Sequence, residues 1–119
     1  ILTEMGHSEE FIEKVCYLIE NHDNRRDEIK NKSIELQILQ DADLIADCGF
    51  AGFIRPFLYG SKFSRQIIKT IKYLQTEIKR VEEDGLLNLN VSKTIDKRKI
   101  ELEKRLIKEI SSDIDSDLL

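Results

Sequence analysis

From Ser61 to Glu83 the chain sets an apolar residue every three or four positions: Phe63, Ile67, Ile71, Leu74, Ile78 and Val81. At 100° per residue these six fall in one narrow stripe, while Lys62, Arg65, Lys69, Lys72, Lys79 and Arg80 lie away from it. That is the signature of an amphipathic helix, and breakers are scarce elsewhere, with one proline and five glycines in 119 residues. The pattern recurs. Ser8 is placed to cap a helix carrying Phe11, Val15, Leu18 and Ile19, with Glu9 and Glu10 in its first turn. A second helix is expected from about Ser33 to Asp47 and a last one from about Ser92 to Ile114, built on Ile95, Leu102, Leu106 and Ile110 with Ile100, Ile107 and Ile114 beside them. No strand alternation and no internal repeat is visible. Residues 1–119 read as one all-α domain, a compact bundle of about five helices. The 40% of hydrophobic residues suffices for a core, and the 35% of charged ones suits helices with a solvated face.

Three segments are expected to be irregular. Asp23 to Lys32 is polar and reads as a loop, "CGFAGFIRPFLYGS" (48–61) reads as a segment broken by Gly49, Gly52, Pro56 and Gly60, and the acidic tail "DIDSDLL" (113–119) reads as frayed. The 33–47 helix, with Ile34, Ile38 and Ile45 on one side and Leu36 and Leu39 on another, is apolar nearly all round and is expected to be buried.

Function classes narrow from the same residues. A net charge of −4 advertises neither nucleic acid nor an anionic membrane. Residues 54–80 hold seven Lys or Arg against Glu77, but without interleaved aromatics for stacking bases, so nucleic acid is not expected and Lys62, Arg65, Lys69 and Lys72 read as a solvated face. The longest run of apolar residues and glycine, Cys48 to Ile54, is far too short for a membrane span, and no charged leader precedes an apolar run. Cys16 and Cys48 have no metal-type spacing and read as two reduced core thiols of a cytoplasmic protein. The chain begins with Ile1 rather than Met, so further residues are expected upstream.

Chemistry has to come from polar residues that the helical period turns inward. His22 lies eleven residues after Phe11, which returns to within about 20° on a helix, so it points where Phe11, Val15 and Leu18 point. Asp23 follows it in the loop. Asp41 and Asp43 stand in the 33–47 helix, separated by about 200° of rotation, and so cannot share one ion. A carboxylate in such a helix is costly unless it is paired, hydrogen-bonded or metal-bound. A buried ion pair, a cap on a neighbouring helix and a metal ligand are all open readings.

The motifs decide which family the chain resembles. "IENHD" followed by "KSIELQILQDADLIADCGFAGFIRPFLYG" resembles the second half of the HD-domain superfamily of metal-dependent phosphohydrolases. That family carries a helix ending in I-x-x-H, then a helix reading roughly E-x-x-I-L-Q-D-A-D-R-L-D-A-x-G, then G-I-x-R-x-F. Here Ile19 and His22, Glu35, Ile38 to Asp43, Gly49, and Gly52 to Phe57 match. The likeness continues loosely through "LLNLNVSKTIDKRKIELEKRLIKEI". It implies an HD-like fold of which residues 1–119 are the C-terminal part. By resemblance, His22 matches the family's later lone histidine rather than its His-Asp doublet, which belongs further upstream, and Asp23 is a coincidence. The resemblance makes Asp43 the Asp closing the metal set, His22 a second ligand or a group on the phosphate side, and Arg55 the phosphate contact, its planar fork suiting phosphate oxygens. The implied cofactor is a divalent ion (Mn²⁺, Mg²⁺, Fe²⁺ or similar), held weakly in this chain, which would lower the pKa of a bound water. The implied substrate is a nucleotide or similar phosphate ester.

Leu44 and Ala46 depart from the family's Arg and second Asp, and the first His and the His-Asp doublet are absent from these 119 residues. The alternative to an HD-type phosphohydrolase is therefore a helical interaction module that kept the fold and lost the site. If the hydrolase reading holds, His22 and Asp43 should meet on an open cleft, and the chain should self-associate or be only marginally stable.

Overall fold

The computed structural model describes residues 1–25 and 29–114; positions 26–28 of the expected 23–32 loop and 115–119 of the acidic tail lie outside the described residues. Among the described residues there are five α-helices and no strand: α1 (Glu9–Asn21), α2 (Ile34–Ala46), α3 (Gly49–Lys62), α4 (Ile67–Asp84) and α5 (Asn90–Asp113). Both serine caps form. Ser8 Oγ accepts from the Phe11 N–H at 3.3 Å and Ser33 Oγ from the Leu36 N–H at 3.2 Å, satisfying donors that a helix start leaves free.

The core lies where α3, α4 and α5 meet. Phe53, Ile71, Leu74, Ile78, Ile100 and Ile107 are its buried residues, with Ile54, Phe57, Val81, Leu106, Ile110 and Ile114 packed around them. The stripe expected on α4 is present from Ile71 onward. Phe63 and Ile67 are 67% and 53% exposed: Phe63 caps the end of α3 and lies outside α4, and Ile67 is the first residue of α4.

Residues 48–61 are not a broken segment. α3 runs through Gly49, Gly52, Pro56 and Gly60, with Phe53 buried in the core and Phe57 against it. Proline inside a helix removes one hydrogen bond and costs about 3 kcal/mol, a cost that the burial of these two aromatic rings offsets. The break comes later. α3 closes with Ser64 in the left-handed region (φ 52°), the Arg65 N–H donating to Gly60 O at 2.9 Å and the Ser64 N–H to Ser61 O at 3.3 Å. These are the two bonds of a Schellman ending, here with serine where glycine is usual.

α2 is not buried all round. Ile34, Ile38 and Leu39 are 54%, 52% and 37% exposed, while Leu36, Gln40 and Asp41 are buried. Its inner face is thus the Leu36–Gln40–Leu44 row with Asp41 beside it, while Ile34 and Ile38 face outward and Ile45 is half-buried. Gln40 and Asp41 are inside because the loops supply their partners. Gln40 Nε2 donates to the carbonyls of Asn21 (2.9 Å) and Asn24 (3.1 Å), closing the C-terminal end of α1, and its Oε1 accepts from Lys32 Nζ at 3.0 Å. Asp41 holds the start of α5. Its Oδ1 accepts from the Asn88 N–H and Nδ2, and its Oδ2 from the Leu89 N–H, each at 2.8 Å. Of the three readings open for Asp41, the cap of a neighbouring helix is the one realised.

α1 packs on α2 and has no buried residue; Phe11, on its expected inner face, is 45% exposed and stacks on His7 at 4.7 Å. Cys16, expected in the core, is exposed, whereas Cys48 is buried.

Candidate functional site

The ends of α2 and α3 meet beside α5, and that junction positions the site. Lys99 Nζ donates to Ile45 O at 2.7 Å, at the C-terminal end of α2, and the Glu103 carboxylate accepts from the Gly49 N–H, at the start of α3. A cation on a helix C-terminus and an anion on a helix N-terminus are each the favourable arrangement. Gly52 lets the segments close: a Cβ there would lie 2.0 Å from the Asp47 carbonyl oxygen and 3.0 Å from Glu103 Oε1. Asp96, one turn before Ile100, shares the inner face of α5 with Glu103, and burial raises its pKa, opposed by the Cys48 thiol and Lys99 and reinforced by Glu82. Burial, then Asp96 and Glu103, push the Cys48 thiol far up, so it is not a thiolate nucleophile.

Against this junction opens a cavity of about 540 Å³, within the range of small-ligand sites. Four arginines reach its wall: Arg25 from the loop after α1, Arg55 from α3, Arg65 from the α3–α4 turn and Arg80 from α4. Four carboxylates share it. Asp43 pairs with Arg25, Asp47 with Arg55, and Glu77 lies 3.5 Å from Arg80. The fourth, Glu103, is 5% exposed and rests on the Gly49 N–H. Burial pushes its carboxyl up to about 7, with Asp96 adding to the rise and the Gly49 N–H and Lys99 opposing it.

Asp43 and Arg55, two of the residues singled out by the motifs, therefore stand on one cavity. His22 does not: it is absent from the lining, and its Nδ1 lies 2.6 Å from Ile19 O. Since that carbonyl can only accept, Nδ1 carries the proton and is spent on closing α1. The expectation that His22 and Asp43 share a cleft is corrected on this point. Arg65, read as part of a solvated basic face, is half-buried. Its Nη2 donates to Pro56 O at 2.7 Å, its Nε to Thr70 Oγ1 at 3.1 Å, and it sits over the Tyr73 ring at 5.6 Å. Lys62, Lys69 and Lys72 are exposed as expected.

Glu103 and Asp96 escaped sequence reasoning although a signal existed. Asp96, Ile100, Glu103 and Ile107 recur at intervals of four, three and four, one helical face, but charge argued for the outside. A divalent ion does not fit the donors that the described residues offer. Among the described residues no three of His, Cys, Asp or Glu gather in ligating geometry, Asp43 is neutralised by Arg25, and His22 is off the cavity. Also among the described residues, no helix is long and apolar enough to cross a membrane. Compared with family models, with curated proteins and with solved structures, the chain matches none.

Proposed function

We propose that the cavity is the phosphate-binding part of an HD-type phosphohydrolase site, taking a nucleotide or similar phosphate ester in the cytoplasm. One observation carries this reading: four guanidinium groups converge on a single cavity of ligand size, and Arg55 of the G-x-x-R-x-F motif and Asp43 of the D-A-D motif both stand on its wall. Guanidinium forks match phosphate oxygens in geometry as well as charge. Arg55 is the group most available to a ligand. Its pair with Asp47 leaves both side chains more than half exposed, and such pairs contribute roughly 0–1 kcal/mol, so an incoming dianion can compete for it. Arg25 is more enclosed and also reaches Gln40 O at 3.4 Å, so it serves as a fixed positive wall. Because the described residues do not gather a metal set, no hydrolytic step is assigned to them; the activity proposed for them is recognition of the ester. The second reading, a helical interaction module with an HD-like sequence, is favoured by the Asp43–Arg25 pair, which occupies the very carboxylate that the resemblance makes a ligand.

Titration calorimetry with a nucleoside monophosphate separates the two. Binding is expected, and Arg55→Ala should weaken it about tenfold, the usual worth of a charge-assisted hydrogen bond. A chain that binds no phosphate ester at about 1 mM, where even a weak site would register, is the interaction module.

A further inference from the structure

The charges on the cavity wall are balanced in a way that singles out one residue. Among the described residues, Asp43, Asp47 and Glu77 each stand against an arginine, and Arg65 is held by Pro56 O and Thr70 Oγ1. Glu103 alone of the four carboxylates is held by a backbone N–H instead of a guanidinium. With Glu103 ionised, the four arginines and four carboxylates of the lining cancel; with it protonated, the wall carries one net positive charge. We propose that Glu103 couples anion binding in this cavity to the uptake of a proton, so that a dianion occupies the cavity most tightly when Glu103 is neutral.

The surroundings of Glu103 support this on geometry. On α5 it is flanked by Asp96, one of whose oxygens is buried with no hydrogen-bond partner, and by Lys99, which is committed to the carbonyls of Ile45 and Cys48. At the α2–α3 junction it faces the buried Cys48 thiol and the Gly49 N–H, with Gly52 leaving its Oε1 no added neighbour. From α4 come Glu77 and Arg80 on the same wall, and Glu82 is tied to Lys104 at 2.6 Å. Among the described residues no arginine is paired with Glu103, and burial raises its pKa to about 7, which places the exchange near neutral pH. An anion in the cavity is repelled by an ionised Glu103 on the same wall, and that repulsion is stronger than in bulk water because Glu103 itself is buried. Binding and protonation are then linked reciprocally: each strengthens the other by the same factor.

The inference rests on the anion-binding reading of the cavity and deepens it. Sulfate is the probe, being a phosphate-like dianion that does not titrate near neutral pH. Its affinity for the full chain is measured by NMR titration at constant ionic strength, from about pH 5.5 to about pH 8.5, spanning the Glu103 midpoint. Wild-type affinity should fall about tenfold over that range. Glu103→Gln keeps an oxygen for the Gly49 N–H but cannot ionise, so it should hold the low-pH affinity throughout. As a measurement independent of the variant's folding, carboxyl carbon NMR of wild-type Glu103 should show its titration midpoint rising when sulfate saturates the cavity. Sulfate binding with the same pH profile in both proteins, or a Glu103 midpoint that sulfate leaves unmoved, overturns the coupling and leaves the anion-binding reading intact. No sulfate binding at any pH overturns both.

Discussion

Gly52 has no room for a side chain, since the first added carbon would overlap the Asp47 carbonyl, which is backbone and cannot swing aside. Gly52→Ala is expected to destabilise the chain by about 1–3 kcal/mol, the range of overpacked sites, seen as a lower midpoint in urea unfolding. An unchanged midpoint would mean that α2 and α3 do not meet as closely as described. Ser64 presents the opposite case. It is held at φ 52°, a region that costs an L-residue about 1–2 kcal/mol, and glycine's larger freedom when unfolded offsets only part of the relief. Ser64→Gly should therefore stabilise by about 0.5–1 kcal/mol, read from the same unfolding curves. Neither glycine nor serine announces such a role in the sequence. Gly52 was visible only as a supposed breaker and as one letter of a motif, and the close approach that requires it is a contact with residues five and fifty-one positions away.

Among the elements, α2 carries the most consequence per residue. Asp41 accepts three hydrogen bonds from the segment that opens α5, and although burial disfavours its charge, the Asn88 and Leu89 N–H groups and the Ser92 and Asn88 side chains outweigh that and lower its pKa. Asp41→Ala leaves those half-buried donors without their acceptor and should cost about 1–3 kcal/mol. It should also remove part of the loss of stability in acid, since a lowered carboxyl pKa contributes stability that disappears as pH falls through it. Thermal unfolding of the variant at neutral and acid pH checks both effects. The helices themselves were legible where the apolar period was strong, as for α1, α4 and α5, and their starts where a serine caps them, as for α1 and α2. α3 was not, because local breaker signals in Gly49, Pro56 and Gly60 lost to the burial of Phe53 and Phe57, which only the packed helices supply. α2 was expected to be buried all round, and it is not, for a related reason. Hydrophobicity ranked Ile34 and Ile38 above Gln40 and Asp41, while the loop groups that satisfy the polar pair come from up to forty-eight residues away.

At the scale of the molecule, the buried carboxylates of α5 set how stability follows pH. Glu103 has its carboxyl raised to about 7 from an ordinary 4.5, burial being the main cause, and Asp96 is raised as well. A carboxyl whose pKa is higher folded than unfolded contributes stability in full below the unfolded value and loses it as pH climbs through the folded one. The window for Glu103 is therefore from about 4.5 to about 7, and the loss across it is on the order of 1–3 kcal/mol. Asp41 acts with the opposite sign and only at lower pH, so the two do not cancel near neutrality. The chain should be most stable in mildly acidic solution and measurably weaker at pH 8, unlike a protein whose carboxylates are mainly salt-bridged. Glu103→Gln should flatten most of that slope, because the amide keeps the acceptor for Gly49 while ending the titration. The check is urea unfolding at several pH values for both proteins. Equal slopes would show that Glu103 is ionised in the folded chain at little cost, with water or a cation reaching the junction of α2, α3 and α5.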